Sequence, residues 1–90
     1  MWFTHTLNVF NTKLEKDMQA EKLIKMANQV GDFYEAFPDK TEAKQEIAGH
    51  LNKFWNSSMR LSLAKYVGEH QGAGLHAAVI EAVQEHLKLN

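Results

Sequence analysis

Apolar side chains recur every three or four residues through most of this chain, which is the spacing of one face of an α-helix. The first such helix is predicted from about Asp17 to just before Pro38, because proline disfavours helical backbone in the residue that precedes it. Its inward side chains are predicted to be Leu23, Met26, Ala27, Val30, Tyr34 and Phe37. Residues 1–16 show no sustained period, so we expect a loosely structured N-terminal arm there.

Two further helices are predicted to begin directly after residues that can cap the start of a helix. Asp39, with Glu42 three residues later, has the form of a capping box and opens a helix to about Trp55. Ser58 is a ready cap for the next helix, which runs to about His70. The inward side chains are predicted to be Ala43, Ile47, His50 and Phe54 on the second helix, and Met59, Leu63, Tyr66 and Val67 on the third.

A fourth helix follows the turn predicted at residues 71–74 and continues to about Leu87, with Leu75, Val79, Ala82 and Val83 inward. Short connections between helices favour antiparallel neighbours. The sequence therefore predicts an all-α fold, a small four-helix bundle or helical array, with residues 1–16 as the arm and residues 17–90 as one helical domain. The apolar faces are wider than one core needs, at Ala48, Leu51, Trp55, Ile80 and Leu87, so we expect a second packing partner. It could be the arm, a second copy or a different protein.

Composition narrows the possible functions. The net charge of -1 provides no positive field to attract nucleic acid or an anionic membrane. No apolar run reaches the length of a transmembrane helix and no secretory leader is visible, so we expect a cytoplasmic protein. The absence of cysteine excludes disulfides and thiolate metal sites. Because a core of 90 residues is only marginally stable alone, a permanent protein partner is favoured.

The sequence contains few motifs that would indicate catalysis or the binding of a metal or phosphate. His50, His70 and His86 fall on the inward faces of three different helices, but no metal-binding spacing such as H-E-x-x-H is present. We interpret them as ordinary half-buried histidines, with a metal- or ligand-binding homodimer as the alternative. Residues 72–74 lack the preceding strand and following lysine of a phosphate-binding loop. We therefore expect no catalytic, cofactor-binding or metal-ligating residue in this chain.

Two patterns predict a surface that binds another protein. Gly31 lies inside the first helix, where glycine costs about 1 kcal/mol relative to alanine, and it shares one side with Ile24 and Asn28. The glycine would allow another backbone to approach closely; alternatively, the amides are solvated and Gly31 accommodates the arm. Phe33-Tyr34 and Phe54-Trp55 are adjacent aromatic pairs, and neighbouring residues of a helix point about 100° apart. One member of each pair, Phe33 in the first and Trp55 in the second, should therefore lie at the margin of the core, unless the core is broad. The predicted interface comprises Ile24, Asn28, Gln29, Gly31, Phe33, Trp55, Met59 and Arg60.

A family resemblance runs through these same residues. Residues 25–34 read KMANQVGDFY, and Phe-Pro, Ile-Ala-x-His, Phe-Trp and Met-Arg elements follow at residues 37, 47, 54 and 59. In order and spacing they resemble the small delta subunit of cytoplasmic NAD-dependent formate dehydrogenase, from about Leu23 to Leu87. The family usually has F-W-x-P-R-M, whereas Ser57 and Ser58 stand here in place of Pro-Arg.

The resemblance implies a non-catalytic accessory subunit that binds the large catalytic subunit of a multi-subunit formate dehydrogenase and stabilises the complex. Such complexes carry a molybdenum or tungsten pterin, iron-sulfur clusters, flavin and NAD, all expected in the partner subunits. Two alternatives stay open beside it. One is a transient maturation factor for the catalytic subunit, and the other is the histidine-based homodimer. Self-association of the isolated chain is also possible.

Overall fold

The fold is described by a computed structural model for residues 19–89, and in that range the backbone forms four helices and no strand. Helix α1 covers residues 19–34, α2 is Lys40–Phe54, α3 is Ser57–His70 and α4 is Ala77–His86. The predicted all-α fold is confirmed. The arm predicted at residues 1–16 and the helix start predicted near Asp17 lie outside the described residues.

The caps decide where the helices begin. The Asp39 carboxylate accepts hydrogen bonds from the backbone N–H groups of Thr41 and Glu42, at 2.9 and 3.2 Å, so the predicted start of α2 is confirmed. The cap predicted at Ser58 is wrong, because Asn56 takes that role. Its side-chain oxygen accepts from the backbone N–H of Met59 at 2.9 Å, and α3 therefore begins at Ser57.

The turn between α3 and α4 needs left-handed backbone, as its glycines indicate. The φ angles are 54° at Gln71, 72° at Gly72 and 87° at Gly74. A Cβ atom added to Gly72 would lie 2.6 Å from a side-chain carbon of Ile80, so the turn also fits closely against α4. The Tyr66 hydroxyl donates to the carbonyl of Ala73 at 2.6 Å. These contacts fix the direction in which α4 begins.

The core is built from one face of every helix. Its largest fully buried side chains are Ile47, Leu51, Leu63 and Val79, and Ala27 contributes from α1. Helix α4 packs against both α2 and α3. Burial confirms the inward apolar side chains predicted on α1 as far as Tyr34, on α3 and on α4. On α2 the prediction is wrong for Phe54, which is 65% exposed. The inward positions predicted for His70 and His86 are also wrong, because both side chains are exposed at the ends of their helices. No helix within residues 19–89 has both the length and the apolar character needed to cross a membrane.

Candidate partner-binding surface

Asn28, predicted to contact a partner, holds the α3–α4 connection within the chain. Its amide nitrogen donates to the carbonyl of Gly74 at 2.8 Å, and its amide oxygen accepts from the backbone N–H of His76 at 3.0 Å. His76 is the N-cap residue of α4 and makes no side-chain cap bond of its own. The amide of Asn28 therefore joins the middle of α1 to the start of α4.

Gly31, one turn further along α1, lies against the start of α4. A Cβ atom added here would be 2.7 Å from Cγ2 of Val79 and 3.1 Å from Cδ2 of His76. The close approach predicted at this glycine is thus made by α4 of the same chain. The neighbouring Asp32 carboxylate pairs with Nε2 of His76 at 2.5 Å. Sequence reasoning missed the Asp32–His76 pair, because the two residues are 44 positions apart and match no local spacing.

Arg60 binds the segment that follows α4. Its Nε donates to the carbonyl of Lys88 at 2.7 Å, and its Nη1 donates to the carbonyl of Trp55 at 2.5 Å. Asn52 holds the same segment from α2, since its amide donates to the carbonyl of His86 and accepts from the N–H of Lys88. Arg60 is only 9% exposed, so this guanidinium acts inside the chain.

The two members of the Phe54-Trp55 pair exchange the places that the sequence predicts. Trp55 is 6% exposed and belongs to the core, while Phe54 is 65% exposed and lies on the surface beside His50, with ring centres 4.8 Å apart. The prediction that Trp55 is the marginal aromatic is wrong. Helix α2 ends at Phe54, and Trp55 has extended backbone with φ -89° and ψ 139°, so the helical projection no longer gives its direction.

A comparison with models of protein families identifies the family of this chain. The model of the family described as the NADH-dependent formate dehydrogenase delta subunit, FdsD, matches residues 22–83, most of the chain. This chain belongs to the FdsD family. Comparisons with curated proteins and with solved structures gave no match.

Within residues 19–89 of this FdsD chain, four large apolar side chains are turned to solvent. Phe33 is 71% exposed, as predicted, and it touches only the edge of the Tyr34 ring at a centroid distance of 4.9 Å among the described aromatic contacts. The set consists of Phe33, Phe54, Leu61 and Leu89. Of the other predicted interface residues, Gln29 is exposed, whereas Ile24 and Met59 are half-buried and packed on the core. Phe33 and Gln29 are therefore the predicted interface residues most accessible to a partner.

Gly49 and Gly68 of the FdsD chain are exposed glycines inside α2 and α3. A Cβ atom added at either position would meet nothing within 4 Å. Each glycine costs about 1 kcal/mol relative to alanine in a helix interior. Unlike Gly31 and Gly72, they have no contact within the described part of the chain that requires glycine. Gly49 is next to His50 and one helical turn from Lys53, near the exposed Phe54.

A groove of about 680 Å³ lies between the start of α1 and the length of α3. Its apolar floor includes Leu23, Ile24, Leu63 and Tyr66, and Leu63 is fully buried beneath it. The rim is polar and is formed by Gln19, Glu21, Ser62, Lys65, Glu69 and His70. We call it the α1–α3 groove. No motif in the sequence predicts it, because it depends on the crossing of two helices.

The histidines that the structure describes are not brought together as a site. Within residues 19–89, no three His, Asp or Glu side chains form a group that could hold a metal ion. His50 lies against Phe54, and His70 lies against Tyr66 with ring centres 5.0 Å apart. His86 is the last residue of α4. This geometry gives no support to a metal-binding cluster of His50, His70 and His86 within one chain.

Proposed function

We propose that this chain is a non-catalytic accessory subunit of an NAD-dependent formate dehydrogenase, which binds the large catalytic subunit and stabilises the assembled complex. The observation that carries the proposal is the match of residues 22–83 to the delta-subunit family. The exposed aromatic side chains of Phe33 and Phe54 also support it, because surface aromatics are enriched at protein interfaces. The complex is expected to work in the cytoplasm.

In this proposal the redox cofactors belong to the partner subunits. Iron-sulfur clusters are held mainly by cysteine thiolates, and the chain contains no cysteine. The other cofactors that the family resemblance implies, a molybdenum or tungsten pterin, flavin and NAD, are proposed to lie in the larger subunits together with the iron-sulfur clusters. In this proposal the delta chain contributes a folded surface that binds the large catalytic subunit.

The predicted interface residues divide into two roles. Phe33 and Gln29 are accessible on α1 and are proposed to contact the partner, with Phe54 in the role that the sequence gives to Trp55. Aromatic side chains contribute most at an interface when a pocket of the partner removes them from water. Asn28, Gly31, Trp55 and Arg60 support this surface from within, through the contacts described above.

The test is co-purification from the native host with a mild affinity tag on this chain. Recovery of the large subunits in equal stoichiometry, with formate-dependent reduction of NAD in the eluate, supports the accessory-subunit role. Recovery of inactive large subunit alone would indicate a maturation factor instead. Recovery of this chain only with itself would contradict both functions.

The contact surface is tested by Phe33→Ala in the same purification. We expect reduced recovery of the large subunit with an unchanged helical circular-dichroism spectrum, because Phe33 is 71% exposed and outside the core. Leu89→Ala is the matched control, since it also removes an exposed apolar side chain and lies after the last helix. Equal recovery with Phe33→Ala and the unchanged chain would exclude Phe33 from the interface.

A further inference from the structure

The α1–α3 groove is an apolar surface that the described part of the chain leaves open. Its floor of Leu23, Ile24, Leu63 and Tyr66 continues the core, and its rim carries charges of both signs. Such a floor favours an occupant that is itself apolar and nearly uncharged, because a charged side chain would lose water there without gaining a partner. The first twelve residues of this chain have that composition.

Residues 1–12 contain no aspartate, glutamate, lysine or arginine. Their large apolar side chains include Trp2, Phe3, Leu7, Val9 and Phe10. A short segment with so many apolar side chains gains free energy by leaving water. The family match covers residues 22–83, so residues 1–12 lie outside the matched region.

The point of attachment brings the segment to the groove. Gln19, the first described residue, is itself part of the rim. With the helix start predicted near Asp17, residues 13–16 connect the segment to α1, and four residues can span at most about 14 Å. The part of α3 that lines the groove, residues 62–70, is about 12 Å long. The linker is therefore long enough to bring residues 1–12 over the whole groove.

We propose that residues 1–12 bind in the α1–α3 groove of their own chain, with their apolar side chains on its floor and their threonine and asparagine side chains toward its polar rim. The covalent connection favours this occupant over a second copy, because a segment joined to its site by a short linker has a local concentration there on the order of millimolar. The proposal is independent of which enzyme the chain assembles with.

The test uses a spin label on the full-length chain. Because the chain has no cysteine, Ser62→Cys places one label on the groove rim, and Gln45→Cys places one on an exposed position of α2, a helix that contributes no residue to the groove. Amide signals of residues 2–10 in a ¹⁵N-labelled sample should lose most of their intensity with the label at position 62. They should keep it with the label at position 45. Unaffected signals with both labels would overturn the proposal.

Two further experiments identify which segment occupies the groove. Mixing spin-labelled unenriched chain with ¹⁵N-labelled chain lacking the spin label reports only contacts between copies, and equal signal loss in that mixture would assign the groove to a second copy and overturn binding in cis. The double variant Phe3→Ser, Phe10→Ser should restore the signals of the segment, while Thr4→Ser, Thr6→Ser should leave the signal loss in place. Signal loss that persists when both phenylalanines are absent would contradict apolar binding to the groove floor.

Discussion

The side-chain amide of Asn28 spans 46 positions of sequence to donate to the carbonyl of Gly74. Its oxygen simultaneously accepts from the N–H of His76, so one side chain satisfies both sides of the turn that precedes α4. This turn contains left-handed backbone at Gly72 and Gly74, and nothing in α4 itself caps its start with a side chain. Asn28 of α1 thus provides a side-chain hydrogen-bond acceptor at the start of α4, where the N-cap residue His76 makes no side-chain cap bond.

Asn28→Ala should destabilise the chain by about 1–2 kcal/mol, because two hydrogen bonds of roughly 1 kcal/mol net each are lost. The measurement is the urea midpoint of the full-length chain, followed by circular dichroism. Gln29→Ala is the control, since its side chain is exposed and surface substitutions usually change stability by less than about 0.5 kcal/mol. Equal midpoints for the two variants would show that the Asn28 bridge contributes no stability.

Gly31→Ala and Gly49→Ala should change stability in opposite directions. Alanine is favoured over glycine in a helix by about 1 kcal/mol, and Gly49 has open space for a Cβ atom, so Gly49→Ala should raise the urea midpoint. At Gly31 the Cβ atom would overlap Val79, and overpacking of this kind typically costs about 1–3 kcal/mol. Gly31→Ala should therefore lower the midpoint. A rise with Gly31→Ala would contradict the close packing of α1 on α4.

Under the proposed function, Gly49→Ala should also change the association of the chain with the large subunit. If a partner backbone approaches the exposed side of α2, the added methyl group should weaken association although it stabilises the isolated chain. Co-purification of the large subunit measures the first effect, and the urea midpoint measures the second. Improved stability with undiminished recovery would place the partner elsewhere.

Periodicity predicts the helices and most of the core because burial follows helical phase wherever the backbone is helical. Ile47, Leu63 and Val79 are inward for that reason. The same argument fails at Trp55, which is one residue beyond the end of α2 and whose extended backbone turns the indole into the core. Helix ends are set by caps such as Asn56, which a pattern of apolar residues does not specify.

The candidate site could be predicted only in part. Composition and position identified residues 24–34 as unusual, and the structure explains Asn28 and Gly31 by their contacts with the start of α4. These contacts join residues more than forty positions apart, so local patterns cannot reveal them. Phe33 was predictable as exposed because it still lies within α1, one residue before the helix ends, where helical phase gives the direction of its side chain.

Trp55→Ala and Phe54→Ala should separate folding from surface function. Trp55 is almost fully buried, and replacing a buried aromatic by alanine costs about 3–5 kcal/mol, so Trp55→Ala should greatly lower or abolish the unfolding midpoint. Phe54→Ala should change the midpoint by less than about 0.5 kcal/mol, because its ring is mostly in water. Thermal and urea denaturation of both variants provide the measurement. A large loss with Phe54→Ala would show that the surface position of this ring is wrong.

Ser57→Pro should stabilise the chain, although it replaces a residue of the helix. Ser57 is the first helical residue of α3, where proline is favoured because its N–H would have no partner inside the helix and its φ is already suitable. The preceding Asn56 has φ -72° and ψ 166°, a conformation that proline accepts in its neighbour. Restricting the unfolded chain in this way is worth about 0.4–1 kcal/mol. Ser58→Pro is the matched control, because it would push Ser57 out of helical backbone and should lower the urea midpoint. If the two variants shift the midpoint alike, the boundary of α3 lies at a different residue.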